Sequence, residues 1–295
     1  MTSSAHANNG RGRLPDFLGV GQPRTGTSWL DSMLRGHAGL PRDVKEVDFF
    51  VKNYARGIEW YKGYFAGCDP RLPAGEICPS YLGSNAARER IAEHIPECRI
   101  ICTLRDPVQV LFSFWKLARR NAWTAHDFET YTPDGWETDS KGLRAWFETF
   151  GREQVLALLY DDLEAAPQDY LDRVCDFIGI EHIAIAGSAP EAPRVNSFSR
   201  MPRSAYLARK ARKLRDRLQS REYYRTINLL TRAGVWRFCF DGGAEFPPLD
   251  PATERRIRRR LMPQVEDLET LLDRDLSAWK ASPDPLERGV DRASA

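Results

Sequence analysis

The chain has 295 residues, of which 42% are hydrophobic and 28% charged, so it can bury a full hydrophobic core. A net charge of +2 gives no basis for nucleic-acid binding, and no stretch of about 18 apolar residues predicts a membrane span. The six cysteines form no C-x-x-C pair and have no histidines at metal-ligand spacing. We therefore expect a cytoplasmic protein with reduced thiols and no metal site.

The first predicted strand leads into a turn bracketed by two glycines. Residues 17–20 form a short apolar run that is typical of a buried strand, and the turn spans Gly21 to Gly26. Apolar residues then recur with the spacing of one helix face over 29–34. A strand, a glycine-rich turn and a helix together direct backbone N–H groups and a helix dipole at one point, which predicts a phosphate site.

The residues of this turn indicate which kind of phosphate site it is. The two glycines have the spacing of a nucleotide-triphosphate P-loop and Ser28 occupies its final hydroxyl position, but Thr27 stands where the lysine belongs. The cation within the loop is Arg24, three residues earlier. This pattern favours a phosphate-type donor handled without metal over ATP hydrolysis. An ordinary glycine-rich turn is the alternative.

The rest of the chain alternates predicted strands with predicted helices. Such alternation predicts a three-layer, P-loop-like α/β domain with a central parallel sheet flanked by helices. The predicted strands are 99–104, 155–160 and a short strand within 75–82 that runs into a turn. The predicted helices include 86–95, 108–118, 143–150, 167–178 and 250–279. We expect one domain over 14–281, a disordered leader at 1–13, a mobile loop at 121–140 and a flexible tail at 282–295.

Three further candidate residues lie outside the loop. Glu46 follows a lysine and precedes an apolar pair, close in sequence to the loop, where a carboxylate could act as a base. A surface or ion-paired glutamate is the alternative. Arg105 ends a predicted strand just before a helix start, which is a second place for an anion unless a carboxylate pairs with it. Ser113, about two turns into that helix, could approach the same space.

Two other segments suggest different roles. Asp161 and Asp162 end a predicted strand as in a Walker B motif, which supports a magnesium-dependent P-loop kinase or NTPase as an alternative function. Between Arg200 and Arg221, nine residues are basic and one is acidic. This segment is either a solvated basic helix or a surface for an anionic acceptor or membrane headgroups.

Taken together, these stretches resemble the sulfotransferases that use 3′-phosphoadenosine 5′-phosphosulfate (PAPS). The resemblance is greatest to the branch that contains heparan sulfate sulfotransferases and many bacterial relatives. Four motifs in the family's order carry it: Gly21–Leu30, Lys45–Phe50, Glu76–Tyr81 and Arg105–Ser113.

The resemblance implies an in-line, metal-independent transfer of a sulfonyl group from PAPS to a hydroxyl or amine. It implies Glu46 as the general base, and Arg24, in place of the family's lysine, as the cation that stabilises the leaving phosphate. The acceptor class stays open among carbohydrates, lipids and small metabolites. The implied donor-binding residues are Arg24, Thr25, Gly26, Thr27, Ser28, Trp29, Arg105 and Ser113.

The chain also departs from the family pattern. Ile77 stands where heparan-type enzymes often carry a second lysine. The family's usual lysine-glycine motif is missing, and residues 232–237 resemble it only weakly. The adenine contacts are therefore unassigned. A non-catalytic nucleotide-binding scaffold is the remaining alternative.

Overall fold

The computed structural model describes residues 12–131, 139–185 and 200–281. Most of the predicted leader, the predicted tail 282–295 and the centre of the predicted loop 121–140 lie outside these ranges. Within them, no helix combines the length and the apolar character that a membrane span requires. All six cysteines fall within the described ranges and carry free thiols.

The chain divides into two compact units, Met1–Arg105 with Lys141–Asn196 and Asp106–Ser140 with Ser197–Ala295. A single domain over 14–281 stays a prediction. The strands of the first unit are β1 (Phe17–Gly21), β2 (Gly75–Ile77), β3 (Arg99–Leu104) and β4 (Val155–Leu159). Its helices are α1 (Thr27–Leu34), α2 (Ile58–Lys62), α3 (Asn85–His94), most of α5 (Asp139–Phe150), α6 (Tyr160–Ala165) and α7 (Pro167–Ile178).

The four strands form one parallel sheet in the order β2-β1-β3-β4. Phe17 is in register with Gly75 on one side and with Arg99 on the other, and Ile100 is in register with Val155. The chain passes from β1 to β2 and then returns across β1 to β3, so the connections reverse direction between β1 and β3. Ligands of open parallel sheets bind at such a reversal, outside the carboxyl ends of the strands.

Apolar side chains cover the sheet because its strands are buried on both faces. On one face, α1 and α7 contribute Trp29, Leu30, Leu171 and Val174 to a core that also contains Phe17 of β1. The parallel sheet flanked by helices, and the four strands predicted from the sequence, are confirmed.

The second unit is mostly helical. Its elements are α4 (Pro107–Arg120), α8 (Ala205–Ser220), α9 (Tyr224–Arg232), α10 (Val235–Phe240), α11 (Pro251–Leu272), α12 (Ser277–Lys280) and the antiparallel pair β5 (Arg200–Pro202) and β6 (Gly242–Glu245). The helix predicted over 250–279 is interrupted. Asp273 has a φ of +51°, a left-handed conformation that ends α11.

A buried ion cluster joins α4 to α11 within this unit. The Arg258 guanidinium donates to Asp106 and to Glu254, each at 2.9 Å, and also to the Trp279 carbonyl. Asp106 in addition caps α4 by accepting from the Val108 N–H at 2.9 Å. One arginine therefore connects the start of α4, the first two turns of α11 and the short α12.

Candidate active site

The loop between β1 and α1 is packed closely against β3. A side chain at Gly21 would place its Cβ 2.4 Å from the Thr103 hydroxyl oxygen, so the loop can leave β1 only through a glycine. Thr25 is fully buried. Its hydroxyl donates to the Gln22 carbonyl at 2.7 Å and lies 2.6 Å from the Thr103 hydroxyl. The Thr25 side chain thus holds the loop's shape and leaves only its backbone for a ligand.

Two residues of the loop adopt left-handed backbone conformations. Gly26 has a φ of +91°, and Arg24 has a φ of +81°, which is uncommon for a residue with a side chain. Such a conformation costs on the order of 1–3 kcal/mol and persists where the surrounding structure enforces it, often at ligand sites. The strain at Arg24 is consistent with a loop shaped for binding.

The loop delivers the start of α1 without a side-chain cap. Gly26 is the N-cap residue, the first helical hydrogen bond runs from the Leu30 N–H to the Gly26 carbonyl, and no acidic residue lies in the first turn. The N–H groups of residues 27–29 have no partner within the helix, because a helix leaves its first donors unpaired. An anion would satisfy these donors and interact favourably with the helix dipole.

A second cation lies beside this helix start. The Lys45 ammonium is 3.5 Å from the Thr27 hydroxyl and 2.9 Å from the Glu46 carboxylate. The Glu46 side chain is 42% exposed, so an acceptor can reach it. Lys45 therefore brings the predicted base to the same end of α1 that would hold the donor phosphate.

Arg105 lies against the β1–α1 loop. Its guanidinium donates to the Arg24 carbonyl at 3.2 Å and lies 4.1 Å from the centre of the Tyr160 ring. The same ring lies close to Gly26, where an added Cβ would be 3.2 Å from it. Because Arg105 contacts Arg24 and the Tyr160 ring lies against Gly26, the residues that follow β3 and β4 hold the two left-handed positions of the loop.

A fully buried carboxylate supports the segment that carries Glu46. Glu76 of β2 accepts hydrogen bonds from the Asp48 N–H at 2.8 Å, the Tyr61 hydroxyl at 2.7 Å and the Tyr81 hydroxyl at 3.1 Å. Burial raises the pKa of Glu76 from 4.5 to about 7, although these donors oppose the shift. Asp48, two residues after Glu46, has a φ of +57°. Glu76 thus anchors the turn that follows the predicted base.

Comparisons with known proteins show which proteins the chain is similar to. Residues 77–184 match the model of the sulfotransferase family. The chain is 27% identical over 202 residues to the mouse (Mus musculus) bifunctional heparan sulfate N-deacetylase/N-sulfotransferase 4 and 28% identical over 199 residues to the mouse heparan sulfate glucosamine 3-O-sulfotransferase 3B1. The chain is therefore similar in sequence to sulfotransferases.

The sequence alignments cover less of this chain than the structural match does. The alignments cover 57% and 61% of this chain but only 22% and 50% of those two relatives. A crystal structure of a sulfotransferase from Alicyclobacillus acidocaldarius has a TM-score of 0.63 and 19% identity, and the match covers 91% of this chain and 100% of that one. This structure shows that the chain has a sulfotransferase fold.

The structure brings together most of the predicted sulfotransferase site. Four predicted residues lie in or beside the β1–α1 loop, namely Arg24, Thr27, Glu46 and Arg105. The Trp29 side chain, by contrast, is buried and packs edge-on against the Tyr170 ring, with the two ring centres 5.9 Å apart. Ser28 is half-buried in the first turn of α1. Ser113 lies on α4 of the second unit, and its role stays a prediction.

Three residues of this site were missed by the sequence analysis. Lys45 supplies a cation beside the start of α1. Ile77, at the position where heparan-type enzymes often carry a second lysine, is a core residue of the same unit. The proximity of Lys45 to Glu46 in sequence was the available signal. Glu76 lies inside a three-residue buried strand, and Tyr160 is the first residue of α6, directly after β4. In the sequence, both were visible only as parts of motifs.

Asp161 and Asp162 do not lie at the end of a strand, where the kinase alternative would place its metal-binding carboxylates. They lie in the first turn of α6, and the Asp162 carboxylate is 3.3 Å from the Arg173 guanidinium. Nothing in these contacts favours the kinase alternative over sulfotransfer.

Proposed function

We propose that this chain transfers a sulfonyl group from PAPS to a hydroxyl or amine, with the β1–α1 loop as the donor site. The observation that carries the proposal is the Lys45 ammonium between Thr27 and Glu46, because it joins an uncapped helix start to a carboxylate. The family match and the fold support the reaction class. The named relatives include an N- and an O-sulfotransferase, which supports keeping both nucleophiles.

The proposed chemistry follows from the charges around the loop. Glu46 takes the proton from the acceptor as its oxygen or nitrogen forms a bond to sulfur, and the bond from sulfur to the bridging phosphate oxygen breaks. The electron pair leaves with that oxygen, so negative charge develops on the phosphate. Arg24 and Lys45, with the N–H groups of residues 27–29, stabilise this charge electrostatically. Arg24 keeps its proton throughout, since a guanidinium does not act as an acid near neutral pH.

The donor site is tested by calorimetry with 3′-phosphoadenosine 5′-phosphate (PAP), the product of the donor. We expect PAP to bind without added metal and far more tightly than 5′-AMP or ATP with magnesium. Arg105→Ala should weaken PAP at least about tenfold, or ~1.4 kcal/mol. Arg99→Ala, at the exposed opposite end of β3, is the matched control and should leave PAP affinity unchanged. Equal affinity for 5′-AMP would contradict the proposal and favour the kinase or scaffold alternatives.

The base is tested by Glu46→Gln, which keeps the size and polarity of the side chain but removes its proton affinity. Turnover, followed as PAP release in the presence of carbohydrate, phenol and amine acceptors, should fall by about 10²–10⁴. PAP affinity should change little, because the carboxylate faces the acceptor. Glu59→Gln, an exposed glutamate paired with Lys62, is the control. Turnover that survives in Glu46→Gln would rule out this residue as the base.

A further inference from the structure

Positive charge is concentrated in one segment of the second unit. Between Arg200 and Phe240, twelve residues are basic and two are acidic, whereas the whole chain has a net charge of only +2. The rest of the chain is therefore net acidic. A charge separation of this size indicates a surface that meets an anionic partner.

This segment folds as three helices around a small core of their own. Ala208 and Ala211 of α8 pack with Trp236, Cys239 and Phe240 of α10, and Leu230 of α9 packs against them. We call α8, α9 and α10 the helical cap. Because its core is small, most of its long side chains point outward.

The helical cap also exposes apolar side chains. Seven large hydrophobic residues are exposed among those that the structure describes, and five of them belong to or adjoin the cap. They are Tyr206, Leu214, Tyr223, Leu229 and Phe238, with exposures of 46–66%. Such a concentration marks an interaction site, because exposed apolar residues are otherwise scattered.

On α8 the apolar and basic residues occupy the same face. Tyr206, Lys210, Leu214 and Arg217 follow one another at intervals of three or four residues, and Lys213 lies one turn after Lys210, so all five line one side of the helix. The Lys210 ammonium lies 5.5 Å from the centre of the Tyr206 ring. The opposite side carries Ala208 and Ala211, which face the cap's core.

The other two helices repeat this arrangement. On α9, Arg225 and Arg232 lie one turn before and after Leu229, which is 66% exposed. On α10, Phe238 is 59% exposed, and the Arg203 guanidinium lies 5.4 Å from its ring centre. Each helix of the cap therefore presents an apolar side chain together with basic ones.

We propose that the helical cap docks on an anionic lipid bilayer. Charge alone would suit a nucleic acid or an acidic protein as well, but exposed leucine and aromatic side chains beside arginines and lysines on three helices fit the boundary between lipid headgroups and acyl chains. At a bilayer surface, the arginines and lysines contact phosphate headgroups, and Tyr206, Leu214, Leu229 and Phe238 enter the boundary with the acyl chains. This surface is independent of the sulfotransfer site proposed above.

Co-sedimentation of the full chain with vesicles tests the proposal. We expect binding to phosphatidylcholine vesicles that contain about 30% phosphatidylglycerol, weaker binding when salt is raised to about 0.5 M, and none to phosphatidylcholine alone. Leu214→Asp/Leu229→Asp should lower vesicle affinity at least about tenfold. Lys210→Glu/Lys213→Glu should lower it by roughly fivefold or more for each reversed charge.

Matched controls separate docking from general charge and from misfolding. Trp123→Asp changes an exposed apolar residue outside the cap, and Arg144→Glu/Arg152→Glu reverses two exposed charges elsewhere. These variants should bind vesicles as the unmodified chain does, and every variant should retain its circular dichroism spectrum. Equal binding to neutral vesicles would overturn the proposal. So would vesicle binding that Leu214→Asp/Leu229→Asp leaves intact, or binding to RNA in place of anionic vesicles.

Discussion

The two units bury carboxylates in opposite ways. In the first unit, Glu76 accepts from one backbone N–H and two tyrosine hydroxyls, and no cation is among the hydrogen-bond donors found for it in the described residues. In the second unit, Asp106 and Glu254 share the Arg258 guanidinium. The first arrangement can gain a proton and remain intact, whereas the second depends on opposite charges.

The pKa shifts of Glu76 and Asp106 show the consequence of this difference. Burial raises the pKa of Glu76 to about 7, because neutral donors only partly replace the water that the carboxylate loses. Burial also raises the pKa of Asp106, while Arg258 acts in the opposite direction. Neutral donors therefore leave Glu76 sensitive to pH near neutrality, whereas the Arg258 guanidinium opposes protonation of Asp106.

Removing the arginine should give the largest effect on stability. Arg258→Met keeps a side chain of similar length but leaves Asp106 and Glu254 buried without their cation. We expect a loss of about 3–5 kcal/mol in the free energy of unfolding, measured by urea denaturation at neutral pH. Arg260→Met, two positions along the same helix and exposed, should change it by less than about 0.5 kcal/mol.

A second substitution sharpens this comparison. Adding Glu254→Gln to Arg258→Met removes one of the two buried carboxylates that have lost the Arg258 guanidinium, and should recover part of the lost stability. If Arg258→Met proves neutral, the charges of Asp106 and Glu254 do not need the arginine. The two units would then bury carboxylates in the same way.

Most strands and long helices of the first unit were predictable because their signals are local. Apolar runs of strand length marked β1, β3 and β4, and helical spacing marked α7. The glycines and Arg24 identified the loop at the end of β1. These features depend on neighbouring residues, so a single sequence carries them.

The missing parts depend on contacts between distant segments. Lys45 reaches Thr27 over 18 positions, Glu76 reaches Asp48 over 28, and Arg258 reaches Asp106 over 152. A motif also does not reveal whether a residue offers its side chain or its backbone. Thr25 and Trp29 fit the donor loop in sequence, yet both side chains point into the protein.

The smaller effect tests the neutral network through its pH dependence. The folded chain holds a proton on Glu76 up to about pH 7, whereas the unfolded chain releases it near the ordinary value of 4.5. The stabilising contribution is therefore full below pH 4.5 and is lost as pH rises through about 7, with a size of about 3 kcal/mol. Glu76→Gln carries no such proton, so the difference in unfolding free energy between the unmodified chain and Glu76→Gln should shift toward the variant between about pH 5 and pH 8. Comparing the two chains cancels the titration of other groups, and Glu59→Gln, an exposed control, should show no such shift. A difference that stays constant over this range would mean that Glu76 remains ionised, and that its three donors stabilise the carboxylate as well as an arginine does.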